Sequence, residues 1–169
     1  MSLDALFSLS GQVAIVTGAG RGIGRGIAEH FAQAGATVIC AARTLEDLEK
    51  TVASCKAAGG NALAQVCDVA QEEQLQALVN TAVNEFGRLD IVVNNAGGAW
   101  PNDPLKTDAK TFNRDFDFNV TSAFNLCRLA QPALEKSRGN IINITSASAR
   151  YAQKGFSSYG TAKAALTQL

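Results

Sequence analysis

Short, continuously apolar runs alternate along this chain with longer stretches whose apolar positions recur every three or four residues. The first kind reads as buried strand and the second as amphipathic helix. The strand-like runs are Gln12 to Thr17 (QVAIVT), Thr37 to Ala41, Ala62 to Cys67, Asp90 to Val93 and Asn140 to Thr145 (NIINIT). Between them Gly22 to Ala34, Leu45 to Ala58, Gln71 to Phe86 and Thr107 to about Leu134 are patterned as helices, and another helix starts at Ser157. Leu75, Leu78, Val79, Ala82 and Phe86 carry the apolar face of the third helix. Gly35, Gly59-Gly60 and Gly87 stand where the first three helices should stop.

Strand–helix alternation at this spacing argues for βαβ units and a parallel sheet covered by helices on both faces. Runs such as Ala14-Ile15-Val16 and Ile91-Val92-Val93 have no polar side to turn to water, as burial on both faces requires. The expected fold is α/β, a Rossmann-like doubly wound parallel sheet in three layers. Its 169 residues make one domain, 1–169. The least regular stretch, Gly97 to Lys106, contains Trp100, Pro101 and Pro104 and follows the carboxyl end of a strand. Ligand loops of open α/β sheets lie there.

Composition narrows the partners. With 15 basic and 15 acidic residues and no block of like charge, nothing points to nucleic acid or a membrane surface. Cys40, Cys55, Cys67 and Cys127 form no C-x-x-C pair, and two lie in strand-like runs. They read as buried reduced thiols in a cytoplasmic protein. The single histidine, His30, lies in a helical run and argues against a zinc site. The N-terminus lacks the basic-then-apolar pattern of a leader, and no run is long enough to span a bilayer.

Two patterns carry chemistry. Thr17-Gly18-Ala19-Gly20-Arg21-Gly22-Ile23-Gly24 joins the first strand to the first helix. Glycines at Gly18, Gly22 and Gly24 let the backbone turn tightly and approach a pyrophosphate at the helix N-terminus. The alternative is an ordinary glycine-rich turn. The second strand ends Ala41-Ala42-Arg43, with Ala42 near the place of the acid that holds ribose hydroxyls in NAD sites. Arg43, with Arg21 in the loop, favours the 2′-phosphate of NADP instead, unless both are merely solvated. Further on, Tyr159 and Lys163 stand one helical turn apart, a rise of ~6 Å on one face. A cation there favours the phenolate. Bringing tyrosine from ~10 to ~7 takes roughly 4 kcal/mol, within reach of a partly desolvated charge pair, and would make it a general acid/base.

With these residues in place the chain closely resembles the short-chain dehydrogenase/reductase (SDR) family from about Gly11 to its last residue. The motifs are Thr17-Gly18-x-x-x-Gly22-x-Gly24, Asp68-Val69, Asn94-Asn95-Ala96-Gly97, Asn119, Ser146 and Tyr159-x-x-x-Lys163. The resemblance implies an NADP(H)-dependent oxidoreductase that also admits NAD(H), moving a hydride between nicotinamide and a secondary alcohol or ketone. Asn119, Ser146, Tyr159 and Lys163 would be catalytic: Asn119 holding a relay water, Ser146 bonding the substrate oxygen, Tyr159 passing the proton, Lys163 holding the nicotinamide ribose. Gly18, Arg21, Gly22, Ile23, Gly24 and Arg43 would bind the phosphates, Asp68 and Val69 the adenine, and Asn95, Ala96 and Gly97 the adenosine ribose side. Asn94 would tie the fourth strand to the glycine loop. Taken singly, Ser146 also reads as a turn residue beside Ser148, Asn119 as a helix-bending residue and Asp68 as a helix cap.

Gly98, Ala99, Trp100 and Phe156 suggest an apolar wall for a small-molecule substrate, hydroxysteroid-like or a 3-oxoacyl thioester. Family members form homodimers or homotetramers and continue well past the position of Leu169. The alternative function is therefore a nucleotide-binding fragment without turnover, its fifth strand lacking an outer neighbour.

Overall fold

The computed structural model describes residues 6–169. The beginning of the chain, read above as lacking a leader, lies outside them. Five parallel strands, β1 Val13–Thr17, β2 Thr37–Ala42, β3 Asn61–Val66, β4 Ile91–Asn94 and β5 Asn140–Asn143, form one sheet in the order β3-β2-β1-β4-β5. Helices α1 Gly22–Gln33, α2 Leu45–Ala57, α3 Glu72–Phe86, α4 Ala109–Phe116, α5 Ser122–Ser137 and α6 Ser157–Gln168 connect and cover it.

Successive residues of a strand point to opposite faces, and the two cores follow that alternation. Ala14, Val16, Val38, Cys40, Ile91 and Val93 pack with Ala28, Ala32, Leu48 and Cys55 of α1 and α2. Ile15, Ile39 and Val92 pack with Leu75, Leu78 and Ala82 of α3 and Leu126, Ala130 and Leu134 of α5. Each fully buried leucine contributes about 1.5–3 kcal/mol. β1 is paired on both sides, Ile15 facing Ile39 of β2 and Val92 of β4. The connections leave β1 and β4 in opposite directions, so their carboxyl ends open a crevice at the switch point.

The boundaries differ from the sequence reading in three informative places. β3 starts at Asn61 because its backbone pairs with Thr37, a ladder that side-chain pattern does not reveal. β5 ends at Asn143 rather than Thr145; the Ile144 amide still donates to the Asn94 carbonyl at 2.9 Å, and its own carbonyl accepts from the Lys163 ammonium at 2.9 Å. The helical stretch expected from Thr107 is two helices joined by a π-helical turn, Asp117–Thr121, in which Ser122 N–H reaches back to the Asp117 carbonyl. α5 then runs through Pro132 to Ser137 and is closed by Arg138 in the left-handed region, φ 57°.

Candidate active site

The crevice is a cleft of about 510 Å³, and every residue expected to touch a cofactor lines it: Gly18, Arg21, Gly22, Ile23, Gly24, Arg43, Asp68, Val69, Asn95, Ala96, Gly97, Tyr159 and Lys163. The glycine loop forms one wall. Gly18 and Gly22 have φ of 66° and 56°, a region costly for other residues. A Cβ at Gly24 would fall inside the contact distance of the Gly18 carbonyl oxygen and 2.5 Å from the Asn95 amide nitrogen. The first turn of α1 carries no acid and no side-chain cap, whereas α2 and α3 begin with Glu46 and Asp47 and with Glu72 and Glu73. The N–H groups of α1 are thus left for an anion.

The loop is braced from two sides. Thr17, buried at the end of β1, donates through Oγ1 to the Val93 carbonyl at 3.1 Å and accepts from the Asn95 and Ala96 amides at 3.0 Å each. Asn95 Nδ2 donates to the Thr17 carbonyl at 2.8 Å. Asn95, not Asn94, therefore ties β4 to the loop. Asn94 points away, its amide donating to Asn143 Oδ1 at 2.9 Å and to Cys127 Sγ at 3.3 Å. Neighbours on a strand face opposite ways, so only one of the two is able to reach β1. On the other side Arg25 donates to the Gly20 carbonyl at 2.6 Å and to Thr51 Oγ1 at 3.0 Å, while Thr51 donates to the Ala19 carbonyl at 2.9 Å. Sequence reading passed over Arg25 and Thr51. A charged residue on a helix and a threonine many positions away give no local signal.

Arg21 and Arg43 are exposed at the cleft, and neither belongs to an ion pair among the described residues. Asp47 lines the cleft beside them, which the sequence reading did not anticipate. Asp47, the third residue of α2, returns to the cleft because the β2–α2 connection is short, so a carboxylate faces the same space as the two guanidiniums. Asp68 accepts from the Ala70 amide through Oδ1 at 3.1 Å, and Val69 is buried next to it. Cys67 also lines the cleft, but burial pushes its thiol up to about 11, and the Cys40 thiol to about 12. Such thiols are not nucleophiles at neutral pH. Cys127 is only half-buried, unlike the other three cysteines.

At the far end, α6 brings Tyr159 and Lys163 to the cleft. Lys163 Nζ lies 6.0 Å from the Tyr159 ring centroid and donates to the Ile144 carbonyl. Burial pulls the ammonium down to about 8, so it remains mostly charged at pH 7. Gly97 separates it from the π turn: a Cβ there would meet Asn119 Oδ1 at 2.7 Å and Lys163 Nζ at 3.0 Å. Asn119 is buried and its amide is spent inside the protein, Nδ2 donating to the Gly98 and Asp115 carbonyls at 3.0 and 2.8 Å and Oδ1 accepting from Gly98 N–H at 3.1 Å. Both of its N–H donors are thus unavailable to a water, and only its acceptor groups remain for that role. Ser146 does not line the cleft itself and does cap a turn: its Oγ accepts from the Ser148 amide at 3.2 Å, which leaves its O–H free to donate. Phe156 stands edge-on to Tyr159, centroids 6.1 Å apart. Trp100 is elsewhere. It lies under the Arg114 guanidinium at 5.1 Å and against Phe118 at 5.6 Å, sharing a groove with Arg43 and Asp68. Of the expected apolar wall, Phe156 is the large residue beside Tyr159.

A doubly wound sheet with a glycine loop at the switch point and a Tyr–Lys pair across the crevice defines the dinucleotide-binding class of α/β proteins. The family profile described as short chain dehydrogenase matches residues 12–169, and the chain belongs to that family. An uncharacterized oxidoreductase of Mycobacterium tuberculosis is 46% identical over 98% of this chain and 64% of the relative. The 7alpha-hydroxysteroid dehydrogenase of Escherichia coli is 40% identical over 95% of this chain and 63% of its own length. L-fucose dehydrogenase of Oryctolagus cuniculus is 41% identical over 95% and 55%. A solved 7 alpha-hydroxysteroid dehydrogenase, complexed with NADH and 7-oxo glycochenodeoxycholic acid, superposes with a TM-score of 0.93 at 39% identity, over 99% of this chain and 66% of that one. This chain thus spans 64% and 63% of the first two relatives' length.

Proposed function

We propose that the protein is an NADP(H)-preferring oxidoreductase interconverting a secondary alcohol and a ketone. The observation that carries the reading is the cleft itself, with an uncapped helix N-terminus at one end and Tyr159 with a buried Lys163 at the other. The residues fit a dinucleotide: Gly18 and Gly22 take positive φ in the loop that lines the cleft, Gly24 lets that loop close on Asn95, and Arg21 and Arg43 line the same cleft as cations for a phosphate. When bound, the nicotinamide supplies or accepts the hydride. Ser146 Oγ–H orients the substrate oxygen, and Tyr159 Oη gives that oxygen a proton during reduction or takes it during oxidation. The Lys163 ammonium stabilises the phenolate that remains. Arg21 and Arg43 favour the 2′-phosphate, with Asp47 opposing them. Asp68 and Val69 hold the adenine, Ala96 and Gly97 its ribose side.

Relatives named for a hydroxysteroid stand beside one named for L-fucose; we take a hydroxysteroid-like substrate, with 3-oxoacyl thioesters as the competing class. The full-length protein, given NADPH with 7-oxo glycochenodeoxycholic acid or a 3-oxoacyl thioester, should oxidise NADPH with one of them. Inactivity on both rejects both substrate classes. One observation favours a second reading for residues 1–169 alone. β5 is paired only with β4 among the described residues and leaves Ile141 and Ile142 41% and 40% exposed. In that reading 1–169 is a single nucleotide-binding domain without turnover, which calorimetry with NADPH beside an activity assay would separate. An apolar groove between α5 and α6, lined by Phe116, Val120, Phe124, Ala165 and Leu169, supports assembly as a homodimer or homotetramer, to be checked by sedimentation. No helix among the described residues is long and apolar enough to cross a membrane, and a cytoplasmic location stays a proposal.

A further inference from the structure

Asp115, at the end of α4, is wholly buried. A buried carboxylate is costly unless it is paired, and its partners are specific. Oδ2 accepts from the Ser158 hydroxyl at 2.6 Å, and Oδ1 pairs with Arg114 Nη2 at 3.1 Å. Its backbone carbonyl accepts from Asn119 Nδ2 at 2.8 Å. One residue therefore grips two parts of the site: Ser158, the immediate neighbour of Tyr159, and Asn119, which shares the space over Gly97 with Lys163. Ser158 is itself buried, in the first turn of α6. That turn has no acid of its own and no side-chain cap, so the Asp115 charge also supplies what the N-terminal end of this helix lacks.

We propose that Asp115 is a positioning residue: through Ser158 it fixes Tyr159 in register with Asn119 and Lys163. The proposal rests on the oxidoreductase reading above. α6 is attached to the rest of the site through few polar contacts, and Arg114 extends the tether outward to Trp100 at 5.1 Å. A displacement of Tyr159 by a fraction of an ångström changes proton transfer far more than it changes binding, because reactive geometry is steep in distance.

The test uses the full-length protein with NADPH and 7-oxo glycochenodeoxycholic acid or a 3-oxoacyl thioester, whichever is turned over. Ser158→Ala should lower kcat about tenfold while KM and the NADPH Kd stay within about twofold, and Ser158→Thr, which keeps the hydroxyl, should restore kcat. Asp115→Ala should lower kcat at least as much, and adding Ser158→Ala to it should cost nothing further, since the pair acts as one unit. Wild-type kcat in Ser158→Ala, or additive losses in the double variant, would overturn the proposal. If the wild type turns over neither probe, the two substrate classes fail instead. The tether is then decided by hydrogen exchange at the amides of Tyr159 to Lys163, where protection should fall in Ser158→Ala and return in Ser158→Thr. Unchanged protection in Ser158→Ala overturns it.

Discussion

At the glycine-loop end of the cleft, β1 and β4 are buried along their whole length, and backbone carbonyls meet backbone amides or fixed side chains. At the Tyr159 end, β5 is exposed at its first three residues, Tyr151 is 73% exposed and Leu105 95%. Thr17, Asn95, Arg25 and Thr51 over-determine the first region, each making more than one bond. In the second, the side chains of Lys163, Ser158 and Ser146 make one such bond each, to Ile144, Asp115 and Ser148, and Asn119 makes three. A recognition surface for a fixed dinucleotide gains from rigidity. Segments that carry binding groups are commonly exposed loops on a rigid frame.

The contrast breaks most sharply at glycines. Gly24→Ala sets a Cβ against the Gly18 carbonyl, a backbone group with nowhere to move. We expect a loss of about 3 kcal/mol or more in urea unfolding and no detectable cofactor binding. Gly26→Ala, two residues on in the same helix with open space around its Cβ position, should instead stabilise by about 0.5–1 kcal/mol. If both variants behave alike, the close approach is not what fixes the loop.

Lys163 tests the softer end. Its folded value near 8 lies below the ordinary 10.5. Between those values the unfolded chain holds a proton that the folded chain has released, so this group's contribution to stability rises with pH across that window, and below about 8 the buried ammonium costs stability. Lys163→Met should therefore be more stable than wild type at pH 7, by on the order of 1–3 kcal/mol, and lose that advantage by pH 10. The buried thiols titrate in both proteins and cancel in the difference. A pH-independent difference in chemical denaturation would contradict the burial argument.

The smallest expected effect concerns cofactor choice. NADPH should bind more tightly than NADH by about 1–3 kcal/mol, and Arg43→Ala should close most of that gap. Asp47→Ala should widen it, because the carboxylate shares the cleft with Arg43. Calorimetric titration of NADPH and NADH against the three proteins decides the matter, and equal affinities in the wild type would remove the arginines from phosphate recognition.

The layered fold was readable because strands such as VAIVT and IVVN are apolar on both sides. The lining of the cleft was readable because its residues sit in contiguous motifs at strand ends. What escaped reading is long-range. Asp115 and Ser158 are 43 positions apart, Arg25 and Thr51 are 26 apart, and neither pair leaves a local pattern. The tie to the glycine loop reads from sequence onto Asn94 and belongs to Asn95, because adjacency in sequence conceals opposite faces of a strand. Asp47 was overlooked because a first-turn acid on a helix ordinarily serves the helix dipole. The single-residue reading of Ser146 as a turn residue holds structurally beside its proposed role, since an oxygen that accepts one backbone N–H still has capacity for a ligand; Asp68 closes a turn onto Ala70 rather than capping α3, whose N-terminus has no side-chain cap.

The central claim is that Tyr159 carries the proton while the opposite end of the cleft carries the cofactor. Tyr159→Phe removes one oxygen and leaves the ring against Phe156. Measured in the full-length protein by stopped-flow NADPH oxidation alongside fluorescence titration of NADPH, this variant should lose about 10²–10⁴-fold in kcat with its NADPH Kd within about twofold of wild type. Unchanged turnover in Tyr159→Phe, or a loss of NADPH binding equal to the loss of turnover, would contradict it.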